Sequence, residues 1–153
     1  DPDGPGSLYR AAAEQCRALT SASAFVLEFP FRFAYGTKER RHVDRVTRDM
    51  EDLPLSIAFF NPGWYSLRVI ETLKERGIGL CLMDFAASGP SAPRFDMATS
   101  SLVYLKLYGC GVAAGGFEGA GRRLASWMPR LEALAPQASK IRVLFQEFQG
   151  EGA

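Results

Sequence analysis

His42 is the only histidine in 153 residues, and the three cysteines, Cys16, Cys81 and Cys110, stand far apart. That scarcity argues against a transition-metal site built by this chain, because such sites gather several His, Cys or carboxylate ligands. An odd, scattered set of cysteines makes no disulfide framework either. Cys16 and Cys81 fall in apolar contexts and read as small buried hydrophobes, while Cys110 stands in a glycine-rich loop. Inert thiols are expected at all three. Charge imbalance is also small: the net charge is +1, which gives no bulk attraction to nucleic acid or to an acidic membrane. No apolar run approaches the roughly 20 residues that span a bilayer. No signal-peptide pattern opens the chain, so a cytoplasmic protein is expected. The first residue is Asp1 rather than Met, which suggests a processed, trimmed or incomplete chain.

What is present is a balanced globular composition, 47% apolar and 23% charged, at a length suited to one domain with a sizeable core. The most informative stretch is LSIAFFNPGWYSLRVIETLKERGIGLCLMD, residues 55–84. It reads as strand, tight turn, amphipathic helix, strand. Parallel strands need such a crossover, so the stretch commits the chain to a parallel sheet with helices outside it. Attention then moves to the carboxyl ends of the strands. Within the unit, 55–60 is a strand, and Asn61 and Pro62 form an N-cap and first-turn pair. The helix that follows is expected to bury Trp64, Leu67, Ile70 and Leu73. Gly77 ends it, and 78–84 is the next strand.

Upstream, residues 1–6 form a Pro/Gly-rich lead-in. Ser7 is placed to cap a helix with Leu8, Ala12, Cys16 and Leu19 at helical spacing. Residues 24–29 read as a strand stopped by Pro30. Thr37 is placed to cap a second helix, whose stripe of Val43, Val46 and Met50 runs under a charged surface. Downstream, 85–100 is rich in Pro, Gly, Ser and Ala, a long loop of the kind that is functional or mobile. Residues 102–108 are a fourth strand. A glycine-rich loop over 109–116 leads to a helix carrying Leu124, Trp127, Leu131 and Leu134 in register. Pro129 is expected to kink or restart it, and 141–148 is a fifth strand.

Five parallel strands in this order fit an open doubly wound sheet or part of a (β/α)₈ barrel. The strand faces favour the barrel. In the fourth strand Val103, Leu105 and Leu107 share one side, while Tyr104, Lys106 and Tyr108 share the other. The first strand sets Val26 and Glu28 against Phe25, Leu27 and Phe29. The fifth sets Arg142 and Gln146 against Ile141, Val143 and Phe145. One face for helices and one with large polar groups suits a barrel interior. The fold class expected is α/β, a TIM-type parallel barrel with about five strands present in a single domain, residues 1–153.

Four short runs carry a resemblance to a known family. VLEFPFRF, IAFFNPGWY, YLKLYG and VLFQEF resemble, in order and spacing over about residues 25–148, the strand motifs of the YecE-like family, also called domain of unknown function 72. That resemblance implies a TIM-type barrel with no firmly established activity. A closed barrel takes about 250 residues, so the chain is similar to the later portion, with the first three strands lost or not represented. Backbone-shaping residues of the family pattern stand at Pro30, Pro62, Trp64 and Gly109, but its polar set does not. Glu28 stands where the family usually has glutamine. Ala58 and Phe60 replace an acidic residue and an arginine, and Lys106 and Tyr108 replace an arginine and a histidine. Gln146 and Glu147 replace paired asparagines.

Glu28, Asp84, Lys106, Tyr108 and Gln146 all fall near carboxyl ends of expected strands, where barrel enzymes keep their sites. A carboxylate near Lys106 would hold it cationic for an anion, whereas desolvation would lower its pKa and suit Schiff-base chemistry. The structural counterpart is a buried Glu28–Lys106 pair, or a lysine whose head reaches the barrel mouth. Asp84 has a second role open to it, capping the loop after its strand. Trp64 offers a stacking surface or a place in the core. The run GCGVAAGGFEG superficially matches a dinucleotide fingerprint, but Gly115, Gly116 and Gly119 delay the helix that the fingerprint needs. A phosphate nest or a flexible connection is left.

Lys38, Arg40, Arg41, Arg45 and Arg48 are interleaved with Glu39, Asp44 and Asp49, which reads as a solvated helix face rather than a nucleic-acid surface. Phe31, Phe33 and Tyr35 beside Arg32 read equally as a stacking platform or a packed loop. The leading expectation is a protein of unassigned activity that binds a small anionic or phosphate-bearing ligand at the strand ends. Lys106 would carry the charge, Glu28 and Gln146 would orient the ligand, and the two loops would close over it. A hydrolase or lyase using Glu28 and Lys106 is one alternative. A non-catalytic interaction scaffold, argued from Ala58, Phe60 and Tyr108, is another. No cofactor, metal or membrane partner is expected, and the oligomeric state is open.

Overall fold

The computed structural model describes residues 5–19, 24–85, 97–110 and 116–146. The chain divides into two compact units, Asp1–Trp64 and Tyr65–Ala153. The described elements are α/β with parallel strand pairing, and the strands do not close into a barrel.

In the first unit, α1 (Pro5–Leu19) leads to β1 (Phe25–Phe29), α2 (Thr37–Asp49) and β2 (Leu55–Phe59). Strands β1 and β2 pair in parallel with Phe25 beside Leu55 and Glu28 beside Ala58. All five residues of β2 are buried, as a strand covered on both faces should be. Helix α2 buries the expected Val43, Val46 and Met50. The buried hydroxyl of Thr47 is satisfied by donating to the Val43 carbonyl at 2.8 Å. Gly36, not Thr37, stands at the N-cap of α2, with no side-chain cap, so Thr37 is the first helical residue.

Helix α1 departs from the sequence pattern in two ways. It begins at Pro5, so Ser7 lies inside its first turn instead of capping it, and the lead-in is shorter. The buried positions are Gly6 and Ala13, whereas Leu8 is 74% exposed and Ala12 and Cys16 are exposed. Small residues let α1 approach α2, and Arg10 locks the contact. Its guanidinium donates to the Asp49 carbonyl and reaches both Asp52 oxygens, at 2.6 and 3.2 Å. Hydrophobicity alone pointed to the opposite face. Cys16 is therefore not a buried hydrophobe.

The 55–84 stretch folds as strand, turn, helix, strand, with two corrections. Pro62–Trp64 is a separate 3-10 turn, which Asn61 closes by accepting from the Gly63 amide at 2.9 Å. Helix α3 (Leu67–Glu75) starts later, with Ser66 as N-cap accepting from the Val69 amide. Within the helix Ile70 and Leu73 are buried but Leu67 is 64% exposed. Gly77 ends the helix as expected. Its left-handed φ of 64° lets its amide bond the Lys74 carbonyl at 3.0 Å and the Ile78 amide bond Leu73 at 2.9 Å.

The strand expected over 78–84 is divided into β3 (Gly79–Leu80) and β4 (Leu82–Phe85), interrupted at Cys81. The Leu80 amide does not enter a ladder at this point. It donates to the Thr99 hydroxyl at 2.6 Å, a side chain 19 residues away.

Strand β4, β5 (Leu102–Tyr108) and β6 (Lys140–Gln146) form one parallel sheet in that order. Residues 147 and 148 of the expected fifth strand lie outside the described residues. Helix α4 (Gly116–Leu134) packs on one face through Trp127, Leu131 and Leu134, against Leu82, Val103, Leu105 and Leu107. That is the register the sequence predicted. The helix runs through Pro129 as one element rather than restarting, and because it begins at Gly116, Gly119 lies within it.

Candidate functional site

Strand alternation sorts the side chains of β4–β6 into two sets. Leu82 and Asp84 face α4. The Asp84 carboxylate accepts from the Trp127 indole at 2.7 Å and lies 3.4 Å from the Arg123 guanidinium. Arg123 also donates to the carbonyls of Asp84 and Tyr108, at 2.8 Å each. This half-buried pair therefore ties the ends of two strands to the helix. The loop that Asp84 was expected to cap, residues 86–96, lies outside the described residues. Sequence reading missed Arg123, because nothing in a helical arginine's own neighbourhood announces strand carbonyls as partners.

The opposite face carries Met83 and Phe85 of β4, Tyr104, Lys106 and Tyr108 of β5, and Arg142, Leu144 and Gln146 of β6. The register sets Tyr104 beside Arg142, Lys106 beside Leu144, and Tyr108 beside Gln146. Lys106 is only 3% exposed, and its ammonium sits 5.3 Å from the centroid of the Tyr108 ring. Burial lowers its pKa, because desolvation disfavours the charged form. The other side of this aromatic patch is Phe85, stacked on Tyr108 at 4.8 Å. Burial raises the Tyr108 phenol pKa, with smaller contributions from Cys81 and Tyr65. The phenol stays protonated and keeps its donor.

Arg142 donates to the Tyr104 hydroxyl at 3.0 Å. The Gln146 carbonyl accepts the Gly109 amide at 2.9 Å, and Gly109 takes a left-handed φ of 70° at this turn. The Gln146 side-chain Oε1 is buried and accepts no hydrogen bond among the described residues. Lys106, Tyr108 and Gln146 thus come together at one end of one sheet face. Asp84 lies on the other face of that sheet.

Glu28 and Trp64 belong to the first unit. Glu28 is exposed on β1. Trp64 is 2% exposed and stacks on Phe59 at 4.3 Å and on Phe33 at 5.6 Å, with its indole donating to the Phe33 carbonyl. It is a core residue. Phe33 packs in that stack while Phe31 and Tyr35 are exposed, so the run 31–35 is partly packed loop and partly surface. Lys38, Arg40, Arg41, Arg45 and Arg48 are all exposed, with Arg48 paired to Asp44 at 3.0 Å, which agrees with a solvated face.

Cys81 is fully buried, and burial pushes its thiol up to about 12. Cys110 is half-buried, with its thiol donating to the Leu107 carbonyl. Among the described residues, no group of three or more His, Cys, Asp or Glu is placed to hold a metal ion. No helix among them is long and apolar enough to cross a membrane. Residues 111–115 of the expected 109–116 glycine-rich loop and most of the expected 85–100 loop lie outside the described residues.

A family model described as protein of unknown function DUF72 matches residues 6–153. No curated protein matches the chain. Among solved structures, a DUF72 family protein of Enterococcus faecalis V583 is similar at 18% identity with a TM-score of 0.72, covering 94% of this chain and 60% of that one. One of Thermotoga maritima MSB8 is similar at 18% identity and a TM-score of 0.72, covering 95% of this chain and 59% of that one. At such identity the likeness is one of fold. The chain spans about 60% of the length of these structures.

Proposed function

This chain belongs to the DUF72 family, a family of unknown function, and on that premise we propose that it is a cytoplasmic protein whose β4–β6 strand ends bind a small anionic ligand. The observation that carries this reading is the charge balance of the face turned away from α4. Lys106 and Arg142 are cationic there, and Met83, Phe85, Tyr104, Tyr108, Leu144 and Gln146 bring no carboxylate. Two cationic side chains on one sheet face, one of them the buried Lys106, suit an anionic ligand. We read the chain as the later portion of a β/α-barrel domain, a reading supported by its parallel strands and by the resemblance in motifs. In that setting a ligand site at the carboxyl strand ends is the common arrangement. The cytoplasmic reading rests on an odd, widely spaced set of three cysteines, which makes no disulfide framework.

Titration calorimetry with inorganic phosphate at neutral pH tests the proposal. Saturable binding is expected, weakened about tenfold or more in Lys106→Met, as loss of one charge-assisted contact implies. Equal affinity in the variant, or no saturable binding by the wild type, contradicts it.

A second reading has one observation in its favour. Desolvation lowers the Lys106 pKa, which suits an amine nucleophile in a lyase. Borohydride trapping with small carbonyl compounds would leave Lys106 covalently modified if that reading holds. The hydrolase version needs Glu28 as base, and an exposed carboxylate is poorly suited to that task.

A further inference from the structure

We infer that the anion bound at this face carries a hydroxyl group, and that Gln146 selects for it. The inference rests on the anion-binding reading above and adds the ligand's class, a small polyol phosphate or similar hydroxylated anion.

Gln146 Oε1 is buried and accepts no hydrogen bond among the described residues. Its own backbone carbonyl is already taken by Gly109. A buried amide oxygen without a donor is unfavourable, so its retention at a strand end calls for a donor brought from outside.

Where that donor must come from is set by the register. Gln146 pairs directly with Tyr108 across β5 and β6. Lys106 stands two residues before Tyr108 on the same strand, but its ammonium leans forward to within 5.3 Å of the Tyr108 ring centroid. The cation and the unsatisfied acceptor therefore flank the same aromatic ring. Adjacent parallel strands are about 4.8 Å apart, which places the two groups within the reach of one small molecule.

The chemistry of the missing donor is restricted by the same neighbours. A ligand ammonium would donate to Gln146 but would sit beside the Lys106 charge, and like charges repel at this range. A hydroxyl donates without charge, and its carbon chain can lie on the Tyr108 and Phe85 rings, which stack at 4.8 Å. Recognition of this kind discriminates well. When a buried acceptor is built for a hydroxyl, an analogue lacking the hydroxyl leaves that acceptor desolvated and unpaired.

The test compares two probes of equal carbon skeleton, glycerol 3-phosphate and n-propyl phosphate, by titration calorimetry on the whole chain. The wild type is expected to prefer glycerol 3-phosphate by roughly tenfold or more, the scale of one buried hydrogen bond. In Gln146→Met that preference should fall to near unity. Equal binding of both probes by the wild type overturns the hydroxyl inference and leaves the anion site standing. A preference that survives in Gln146→Met overturns the role of Gln146. Failure of the wild type to bind either probe overturns the anion site and this inference with it. The wild-type ratio needs no variant, so a poorly folding Gln146→Met does not remove the test.

Discussion

At the scale of single residues, burial shifts the titration of Cys81 and Lys106, and its consequences have a definite sign. Cys81 is fully buried and its pKa rises from 9.0 to about 12, with desolvation as the cause. Above pH 9 the unfolded thiol loses its proton while the folded one keeps it. The folded state then binds more protons, and stability falls as pH rises. Between pH 9 and 10 this costs about 1 kcal/mol. Lys106 acts in the opposite sense. Its folded pKa is lowered, so the unfolded state binds the extra proton and stability rises with pH up to the ordinary lysine value of 10.5. The two are separated by comparing urea unfolding of the wild type and Cys81→Ala at pH 9 and 10. The variant should lose less stability across that interval by about 1 kcal/mol, since the Lys106 contribution is common to both. Identical pH slopes would show that Cys81 is not held protonated by the fold.

Residue identity was legible in the sequence where a side chain's role follows from its own strand or helix. The alternation of β5 separated Lys106 and Tyr108 from Leu105 and Leu107, and the structure keeps that division. Asp84 was not legible. Its position near a strand end was read correctly, but its partners Trp127 and Arg123 lie 43 and 39 residues away. Only tertiary packing brings them to it. The unsatisfied state of Gln146 was hidden for the same reason, because an acceptor's lack of a partner is a property of its surroundings.

At the scale of elements, periodicity predicted best where apolar residues do the packing. Helix α4 places Trp127, Leu131 and Leu134 in the core at the spacing the sequence showed. Helix α1 misled because its contact with α2 is made by Gly6 and Ala13 with Arg10, and small residues carry no hydrophobic signal. The break between β3 and β4 was invisible for a different reason. An unbroken apolar run gives no sign that one amide leaves the ladder for a threonine hydroxyl far along the chain. That hydrogen bond is testable. Thr99 is 3% exposed, and Thr99→Val keeps its shape while leaving the buried Leu80 amide unpaired. A loss of about 1–3 kcal/mol is expected, with Thr99→Ser retaining most of the stability. Chemical denaturation of both variants measures this, and a neutral Thr99→Val would show that Leu80 finds another acceptor.

At the scale of the whole molecule, the 55–84 stretch and the four short motifs pointed to parallel α/β architecture and to a family, and both readings hold. The family model covers residues 6–153, and the polar side chains that this chain sets on the face of β5 and β6 turned away from α4 include Lys106, Tyr108, Arg142 and Gln146. The anion-binding role assigned to that set makes a spatial claim. Phosphate should act at β5 and β6 and not on the arginine-rich surface of α2, where Lys38, Arg41 and Arg45 are exposed. Backbone amide resonances followed during a phosphate titration address this most directly. Saturable shifts are expected to cluster at residues 104–109 and 142–146. Shifts confined to residues 37–49, or no saturable shift anywhere, would contradict it.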